Sequence, residues 1–152
     1  ISKLVLVTGG FDPIHSGHIN LLKKASELGD KLIVGVNSDD WLKRKKKCFF
    51  MTLKERKTII ENLNMVDQVI VWDDSDDTAC GAIDSLLAKF PENIMLIFAN
   101  GGDRKKNNIP EIQRYTKNRR VVFKFGIGGY NKKNSSSLIL EKFKDSFFKK
   151  TF

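Results

Sequence analysis

The chain has 152 residues and a mass of 17.3 kDa, a size that predicts a single domain over residues 1–152 with a core of its own. It contains no run of eighteen apolar residues, and its start lacks the charged and apolar regions of a secretory signal. These features exclude the membrane-spanning class and favour a cytoplasmic protein. The two cysteines, Cys48 and Cys80, lie in different segments without metal-binding spacing, which agrees with a reducing compartment.

The net charge is +9 and the isoelectric point is about 9.6. Part of this charge lies in an unbroken basic block at residues 43–47. Such a block is compatible with nucleic acid, with a small phosphate-rich ligand or with a solvated surface. Because no RNA-binding strand signature accompanies it, nucleic acid is disfavoured as a partner.

Five apolar runs of strand length alternate along the chain with polar or glycine-bearing segments and helical patterns. The runs are residues 4–7, 32–36, 69–71, 94–99 and 121–125. Continuous Val, Ile and Leu without alternating polarity is typical of strands that are covered on both faces, as in a parallel sheet. The pattern predicts an α/β fold, a three-layer sandwich with a five-stranded parallel sheet. For a Rossmann-like sheet of this kind we expect the strand order 3-2-1-4-5.

Helices are predicted after His18, after a capping box that begins at Thr52, over residues 78–88, near Pro110 and over residues 136–148. In the last of these, four apolar residues fall near one side and predict a core face: Leu138, Ile139, Phe143 and Phe147. The alternative is that its phenylalanines dock on a second subunit. Residues 37–47, which follow the second strand and contain the basic block, are expected to form a loop.

Both histidines of the chain lie in one stretch, His15-Ser16-Gly17-His18, just after the first strand and its glycine turn. A structural zinc site needs a third and a fourth ligand, and neither another histidine nor a suitably spaced cysteine is present. A glycine turn that opens a helix presents backbone N–H groups and the positive end of the helix dipole to one pocket. Imidazoles placed there add two hydrogen-bond donors, so this arrangement predicts a phosphate site.

Two nucleotide-binding fingerprints, GxGxxG after the first strand and the P-loop, are missing. The sequences GGFDPIHSGH and NSSSLI instead resemble the nucleotidyltransferase superfamily with the HxGH signature. The whole chain is most similar to its cytidylyltransferase-like members, the glycerol-3-phosphate cytidylyltransferases and the adenylyltransferase domain of ADP-heptose synthesis. Since the arginines that the glycerol-phosphate branch carries before the segments matching Val66 and Ser135 are absent here, the donor stays open between CTP and ATP.

The resemblance implies roles for individual residues. The catalytic residues would be His15, His18 and Lys46. The nucleotide-binding residues would be Gly9, Gly10, Phe11, Gly17, Gly102, Asp103, Ser135, Ser136 and Ser137. Acceptor binding would fall to Arg56, Lys45 and Lys47, with the lysines as mobile charges that close over the phosphates. Asp12 would lie near Mg²⁺.

Three of these roles have structural alternatives. Arg56 is equally well explained as a solvated helix arginine, and Asp12 as a residue that fixes its loop through backbone N–H groups. A serine triplet at a helix start is ordinarily a cap.

The implied reaction transfers a nucleoside monophosphate from CTP or ATP to a small phosphate monoester, such as a sugar or polyol phosphate, and releases pyrophosphate. The resemblance also implies a homodimer. Other enzymes with a related first loop, the nicotinamide mononucleotide and phosphopantetheine adenylyltransferases, are alternatives. A nucleotide or nucleic-acid binding module without turnover, and a structural subunit, are alternatives of other classes.

Overall fold

The computed structural model describes residues 2–102, 104, 109–129 and 135–151, with the backbone alone for 149–151. Strands and helices follow one another along the chain as β1 (Lys3–Gly9), α1 (Ser16–Ser26), β2 (Lys31–Val36), α2 (Asp39–Lys46), α3 (Leu53–Glu61), β3 (Gln68–Ile70), α4 (Cys80–Lys89), β4 (Met95–Ala99), α5 (Glu111–Tyr115), β5 (Val121–Lys124) and α6 (Ser136–Thr151). Within these residues, no helix is long and apolar enough to cross a bilayer.

The strands form one parallel sheet in the order β3-β2-β1-β4-β5, which confirms the predicted fold and strand order. Alternate residues of the central strand β1 face opposite sides. Leu4 and Leu6 pack into a cluster with α4, whereas Val5 and Val7 pack into a second cluster with α1 and α3. Burial on both faces explains why the strand sequences are continuously apolar.

Helix α2 lies where a loop was expected, so that expectation is wrong. Ser38 caps the helix by accepting a hydrogen bond from the Trp41 N–H at 3.0 Å. Two aspartates occupy the first turn and basic residues the last, which matches the helix dipole at both ends. Leu42 is fully buried and anchors the helix to the sheet. The basic block is therefore mostly helical, and its lysines project from a fixed backbone.

The predicted core face of α6 is also wrong. Leu138, Phe143 and Phe147 are 49%, 66% and 56% exposed. Of the side chains described in this helix, that of Ser136 in its first turn is buried and the others are half-buried or exposed. The helix is therefore buried only at its start among the described side chains, and its apolar residues after that point are half-buried or exposed.

Candidate functional site

A first cleft opens at the carboxyl edge of the sheet and has a volume of about 300 Å³. The loops after β1, β4 and β5 reach it together with the ends of α1, α2 and α6. It is lined by His15, Gly17, His18, Asn20, Leu21, Lys46, Gly101, Gly102, Ile127, Gly128, Gly129, Ser135, Ser136 and Ser137. Because β1 and β4 are neighbours from which the strand order runs in opposite directions, the cleft lies at the point where open α/β sheets bind ligands.

The two histidines are fixed to each other and to the start of α1. His15 is the N-cap, and its Nδ1 accepts a hydrogen bond from the Gly17 N–H at 3.0 Å. The Nδ1 of His18 accepts from the His15 N–H at 3.2 Å, and the ring centroids are 3.9 Å apart. Because each Nδ1 is an acceptor, the neutral imidazoles carry their proton on Nε2.

Phe11 supports this pair from behind. It is 4% exposed, and its ring meets that of His18 edge to face with centroids 5.0 Å apart. Its backbone has a φ of 52°, a left-handed conformation that a bulky residue seldom adopts. Gly9 makes room for the ring, since a Cβ there would lie 3.2 Å from the Phe11 Cζ. The turn is thus shaped to put an aromatic ring under the His18 imidazole.

The serine triplet combines a cap, a tether and a lining residue. The Ser135 Oγ accepts from the Leu138 N–H at 3.1 Å, as a helix cap does. The Ser136 Oγ donates to the Pro13 carbonyl at 2.7 Å and so joins the start of α6 to the first loop. Ser137 is exposed at the cleft. Two helix N-termini, those of α1 and α6, therefore meet the same cleft.

Glycines allow the loops after β4 and β5 to approach closely. A Cβ on Gly101 would lie 2.7 Å from the Ile127 carbonyl oxygen and 2.8 Å from the Leu21 Cδ1. Gly128 has a φ of 79°, and its carbonyl accepts from the Asn20 Nδ2 at 3.1 Å. Side chains at these two positions would collide with neighbouring atoms, so the shape of the cleft requires glycine at both.

A second cleft of about 320 Å³ lies beside the first. Its walls come from the ends of β1 and β2, helix α2, the segment between β3 and α4, and the start of α5. The lining residues are Thr8, Gly9, Asn37, Trp41, Lys45, Trp72, Asp77, Thr78, Ala79, Arg104, Pro110 and Glu111. Two tryptophans and four charged side chains make this cleft more varied chemically than the first.

Two adjacent lysines of α2 serve different clefts. Lys46 lines the first cleft with the histidines, whereas Lys45 lines the second, with its Nζ 5.9 Å from the centre of the Trp41 ring. Successive helix residues point about 100° apart, which explains the division. Lys47 is the C-cap with a φ of 68° and lines neither cleft.

Arg56 is buried, so its explanation as a solvated helix residue is wrong, while acceptor binding stays a prediction. Its side chain is 0% exposed. Nε donates to the Met51 carbonyl at 2.9 Å, and Nη1 donates to the carbonyls of Gly10 and Asn37 at 2.9 and 2.7 Å. Nη2 donates to Asp39 at 2.7 Å. With four hydrogen bonds to the surrounding loops, the guanidinium holds the ends of β1 and β2 and lines neither cleft.

Asp12 has the loop-fixing role that was the alternative to metal binding. It is 2% exposed, and its two carboxylate oxygens accept from the N–H groups of Phe50 and Met51, both at 2.6 Å. Among the described residues, no group of three or more His, Cys, Asp or Glu is placed to hold a metal ion. The described side chains therefore do not fit a metal site made by the protein alone.

Asp74 organises the wall of the second cleft. It is 3% exposed and accepts from the Asn37 Nδ2 at 3.0 Å, the Ser38 N–H at 2.8 Å and the Ser38 Oγ at 2.6 Å. Arg44 donates from Nη2 to the Asp74 carbonyl at 2.8 Å. Since Ser38 caps α2, this one carboxylate joins the segment after β3 to the helix that carries both cleft lysines.

The chain as a whole has known relatives. The family model described as cytidylyltransferase-like matches residues 6–142. The chain belongs to the cytidylyltransferase-like family. The match confirms the resemblance predicted from the first loop and the serine triplet.

Named relatives of this cytidylyltransferase-like chain include two curated proteins and a solved structure. Bifunctional protein HldE of Helicobacter pylori (strain J99) is 33% identical over 144 residues, which cover 93% of this chain and 28% of that protein. Glycerol-3-phosphate cytidylyltransferase of Bacillus subtilis (strain 168) is 41% identical over 68 residues, 45% of this chain and 53% of that one. A lipopolysaccharide core biosynthesis protein from Thermoplasma volcanium GSS1 superposes with a TM-score of 0.67 at 27% identity, over 86% of this chain and 100% of that chain. The matches span between 28% and 53% of the two curated relatives.

Within the cytidylyltransferase-like fold, half of the residues predicted for the site line one cleft. His15, Gly17, His18, Lys46, Gly102 and the three serines all line the first cleft. Gly9 lines the second cleft instead. Gly10 packs against α2, where a Cβ would lie 2.8 Å from the Leu42 Cδ2. Asp103 lies outside the described residues.

Sequence reasoning missed much of the second cleft. Trp72 and Glu111 fall outside the loops that follow the strongest strands, and neither belongs to a contiguous motif. The available signal was weak: Trp72 comes two residues after β3, and Glu111 follows the proline that was expected to open α5. Glu111 is 3% exposed, although its sequence context reads as an ordinary helix start.

Proposed function

We propose that the chain transfers a nucleoside monophosphate from CTP or ATP to a small phosphate monoester and releases pyrophosphate. The observation that carries this proposal is the pair of imidazoles held through Nδ1 at the start of α1, next to Lys46 and the start of α6 in one cleft. In this proposal the triphosphate lies in the first cleft and the acceptor in the second. Thr8 and Gly9 at the end of β1 form part of the second cleft and lead directly into the first loop.

The reaction needs little proton transfer. An oxygen of the acceptor phosphate attacks the α-phosphorus, the bond from that phosphorus to the bridging oxygen breaks, and pyrophosphate leaves with the electron pair. A phosphate monoester has a second pKa of about 6 and is largely a dianion at pH 7, so its attack requires no catalytic base. The protein's contribution is to position the two phosphates and to stabilise the charge that builds up as they react.

The residues of the first cleft suit that task. The Nε2–H groups of His15 and His18 would donate to phosphate oxygens, and Lys46 would add a positive charge. The starts of α1 and α6 contribute backbone N–H groups and the positive ends of their dipoles. Hydrogen bonds through Nδ1 hold the imidazoles in place before the ligand arrives, which reduces the reorganisation needed in the transition state.

Mg²⁺ belongs to the proposal as an ion that the triphosphate carries. The Asp12 oxygens are occupied by backbone N–H groups, so we assign no metal ligand among the described side chains. None of the roles proposed for the protein's own residues requires a metal ligand from the protein.

We further propose that the chain forms a homodimer. Support comes from the phenylalanines of α6, since Phe143 and Phe147 are 66% and 56% exposed on one helix. Exposed apolar residues grouped in this way are typical of association surfaces. Sedimentation at high micromolar concentration is expected to show a dimer, and a monomer there rejects this part of the proposal.

Pyrophosphate release from CTP and from ATP, measured with Mg²⁺ and a panel of monoesters, tests the reaction. The panel includes glycerol 3-phosphate, heptose 1-phosphate, nicotinamide mononucleotide and phosphopantetheine, so the alternative enzymes produce their own signal. We expect release with one donor and with a sugar or polyol phosphate. Silence across the panel, together with a melting temperature that neither triphosphate raises, contradicts the proposal.

Two substitutions of His18 provide matched controls. The Oδ1 of asparagine occupies the position of Nδ1, so His18→Asn retains the acceptor for the His15 N–H and removes the Nε2 donor. His18→Gln places an amide donor near Nε2 and loses the Nδ1 anchor. We expect kcat to fall by about 100- to 1000-fold in His18→Asn, the usual effect of removing a donor to a developing charge, and by less in His18→Gln. Equal activity in His18→Asn and the unsubstituted protein rejects the role of Nε2.

A further inference from the structure

Glu111, at the wall of the second cleft, has a buried carboxylate oxygen without a hydrogen bond. The residue is 3% exposed, and its Oε1 accepts from the Ala79 N–H at 2.8 Å. Over the part of the chain that the structure describes, Oε2 has no hydrogen-bond partner. Arg104 Nη2 forms an ion pair with Oε2 at 3.9 Å, a separation beyond hydrogen-bond range. Buried polar atoms are nearly always paired, and an unpaired carboxylate oxygen is an unusual and unfavourable feature.

Contacts with α4 hold the Glu111 carboxylate at the wall of the second cleft. Ala79 immediately precedes α4 and fixes Oε1. Helix α5, which begins at Glu111, is docked on α4 through Tyr115, whose hydroxyl donates to the Cys80 carbonyl at 3.0 Å and to the Asp84 carboxylate at 2.5 Å. Both ends of α5 are thus tied to α4, and the Glu111 carboxylate is kept at the cleft.

The partner that Glu111 Oε2 lacks must be a hydrogen-bond donor. A carboxylate oxygen is an acceptor only, so its missing partner carries an O–H or an N–H. Arg104 lies close to the same oxygen and would repel an ammonium group brought to it. A neutral hydroxyl meets the need of Oε2 without that repulsion.

We propose that Glu111 Oε2 accepts a hydrogen bond from a hydroxyl group of the acceptor, remote from its phosphate. The inference rests on the proposed function and narrows its substrate to a polyhydroxylated phosphate monoester. Lys45 lines the same cleft and provides a positive charge for the phosphate. Glu111 is thereby a specificity residue: it favours acceptors with hydroxyls over simple alkyl phosphates, while Arg104 beside it disfavours monoesters that end in an ammonium group.

The Glu111→Gln variant tests the proposal. Glutamine retains an oxygen to accept from the Ala79 N–H and replaces Oε2 by a donor, which cannot accept from a hydroxyl. We expect kcat/KM for glycerol 3-phosphate and heptose 1-phosphate to fall by about 10- to 100-fold, the loss typical of a hydrogen bond to a charged group. The KM for the triphosphate and the rate with propyl phosphate stay unchanged. Glu61→Gln, which alters an exposed carboxylate on α3 that lines neither cleft, is the matched control and leaves acceptor selectivity unchanged.

Two results overturn the proposal. In the first, Glu111→Gln equals the unsubstituted protein on the polyhydroxylated acceptors. In the second, it loses as much with propyl phosphate as with them, which indicates a purely structural role. If the variant does not fold, Arg104→Gln replaces it: removal of the repelling cation is expected to raise the rate with ethanolamine phosphate relative to that with glycerol 3-phosphate, and an unchanged ratio contradicts the assignment.

A binding measurement separates this inference from the proposed reaction. Thermal stabilisation by glycerol 3-phosphate and by heptose 1-phosphate is recorded with and without Glu111→Gln or, if that variant is unfolded, Arg104→Gln. The acceptor site is supported if Glu111→Gln loses this stabilisation, or if Arg104→Gln shifts it toward ethanolamine phosphate. If this happens while no pyrophosphate is released, the proposed reaction alone fails. If the unsubstituted protein releases no pyrophosphate and no monoester stabilises it, both the proposed reaction and this inference are overturned.

Discussion

The two clefts have similar volumes, about 300 and 320 Å³, but different kinds of groups form their walls. The first is made of glycine-bearing loops, two helix starts and a pair of anchored imidazoles. The second is made of side chains from five separate segments, which buried charged residues hold in place. A wall of main chain is sensitive to any added atom. A wall of side chains depends also on buried residues behind it, such as Asp74.

The largest expected effect lies behind the clefts, at Arg56. Replacement by methionine removes four hydrogen bonds and leaves Asp39 and three interior carbonyls without their donor. We expect the free energy of unfolding to fall by about 3–5 kcal/mol, as when one member of a buried ion pair is removed, measured by urea denaturation. Arg44→Met is the control. Its ion pair with Asp77 is exposed and contributes at most about 1 kcal/mol, and its hydrogen bond to the Asp74 carbonyl adds about 1 kcal/mol, so a smaller loss than in Arg56→Met is expected. Equal losses would show that Arg56 does not hold the ends of β1 and β2.

The first cleft differs from the second in how far the sequence predicts it. His15, Gly17 and His18 are neighbours in the chain, so their joint placement follows from one strand, one turn and one helix start. The strands were predicted from their continuous apolar runs, and their order was expected from the Rossmann-like fold class. The burial of Arg56 had no such local signal, because its partners come from three other segments. Only tertiary packing determines whether an arginine one turn into a helix faces solvent or the interior.

Gly101→Ala tests whether the first cleft requires a residue without a side chain at position 101. A Cβ there would lie 2.7 Å from the Ile127 carbonyl oxygen, so the two loops must separate. Forcing extra atoms into a packed site costs about 1–3 kcal/mol, and we expect a matching loss of unfolding free energy together with weaker triphosphate binding by calorimetry. Leu21→Ala combined with Gly101→Ala relieves only the side-chain contact. Full recovery in that double variant would mean that the carbonyl contact is unimportant.

The adjacent lysines of α2 allow the two clefts to be compared at nearly constant structure. Lys46→Gln is expected to raise the KM for the triphosphate by about 10-fold and to leave the acceptor KM unchanged, whereas Lys45→Gln is expected to do the reverse. Each substitution removes one charge-assisted hydrogen bond, worth about 1.5 kcal/mol. Steady-state kinetics with each substrate varied in turn measures both constants. If both variants change the same constant, the division of the two lysines between clefts is wrong.

The smallest expected effect concerns the support of the second cleft. Burial, and then the hydrogen bond to Asp84, raise the pKa of Tyr115 above its ordinary value. The unfolded chain releases the tyrosine proton near pH 10 while the folded chain retains it. The hydroxyl therefore contributes its full stability below pH 10, and that contribution is lost as the pH rises from there toward the pKa of the folded state. Tyr115→Phe is expected to lower the unfolding free energy at pH 7 by about 1 kcal/mol and to remove this part of the alkaline destabilisation.

Tyr115→Phe also tests whether the contact between α5 and α4 affects acceptor binding in the second cleft. Tyr115 holds the far end of the helix that begins with Glu111, so loosening it should raise the acceptor KM more than the triphosphate KM. Urea denaturation at pH 7 and pH 10.5, with acceptor and triphosphate kinetics at pH 7, gives both readings. If stability falls while both KM values stay constant, α5 positions itself without Tyr115, and Ala79 alone must hold the Glu111 carboxylate at the second cleft.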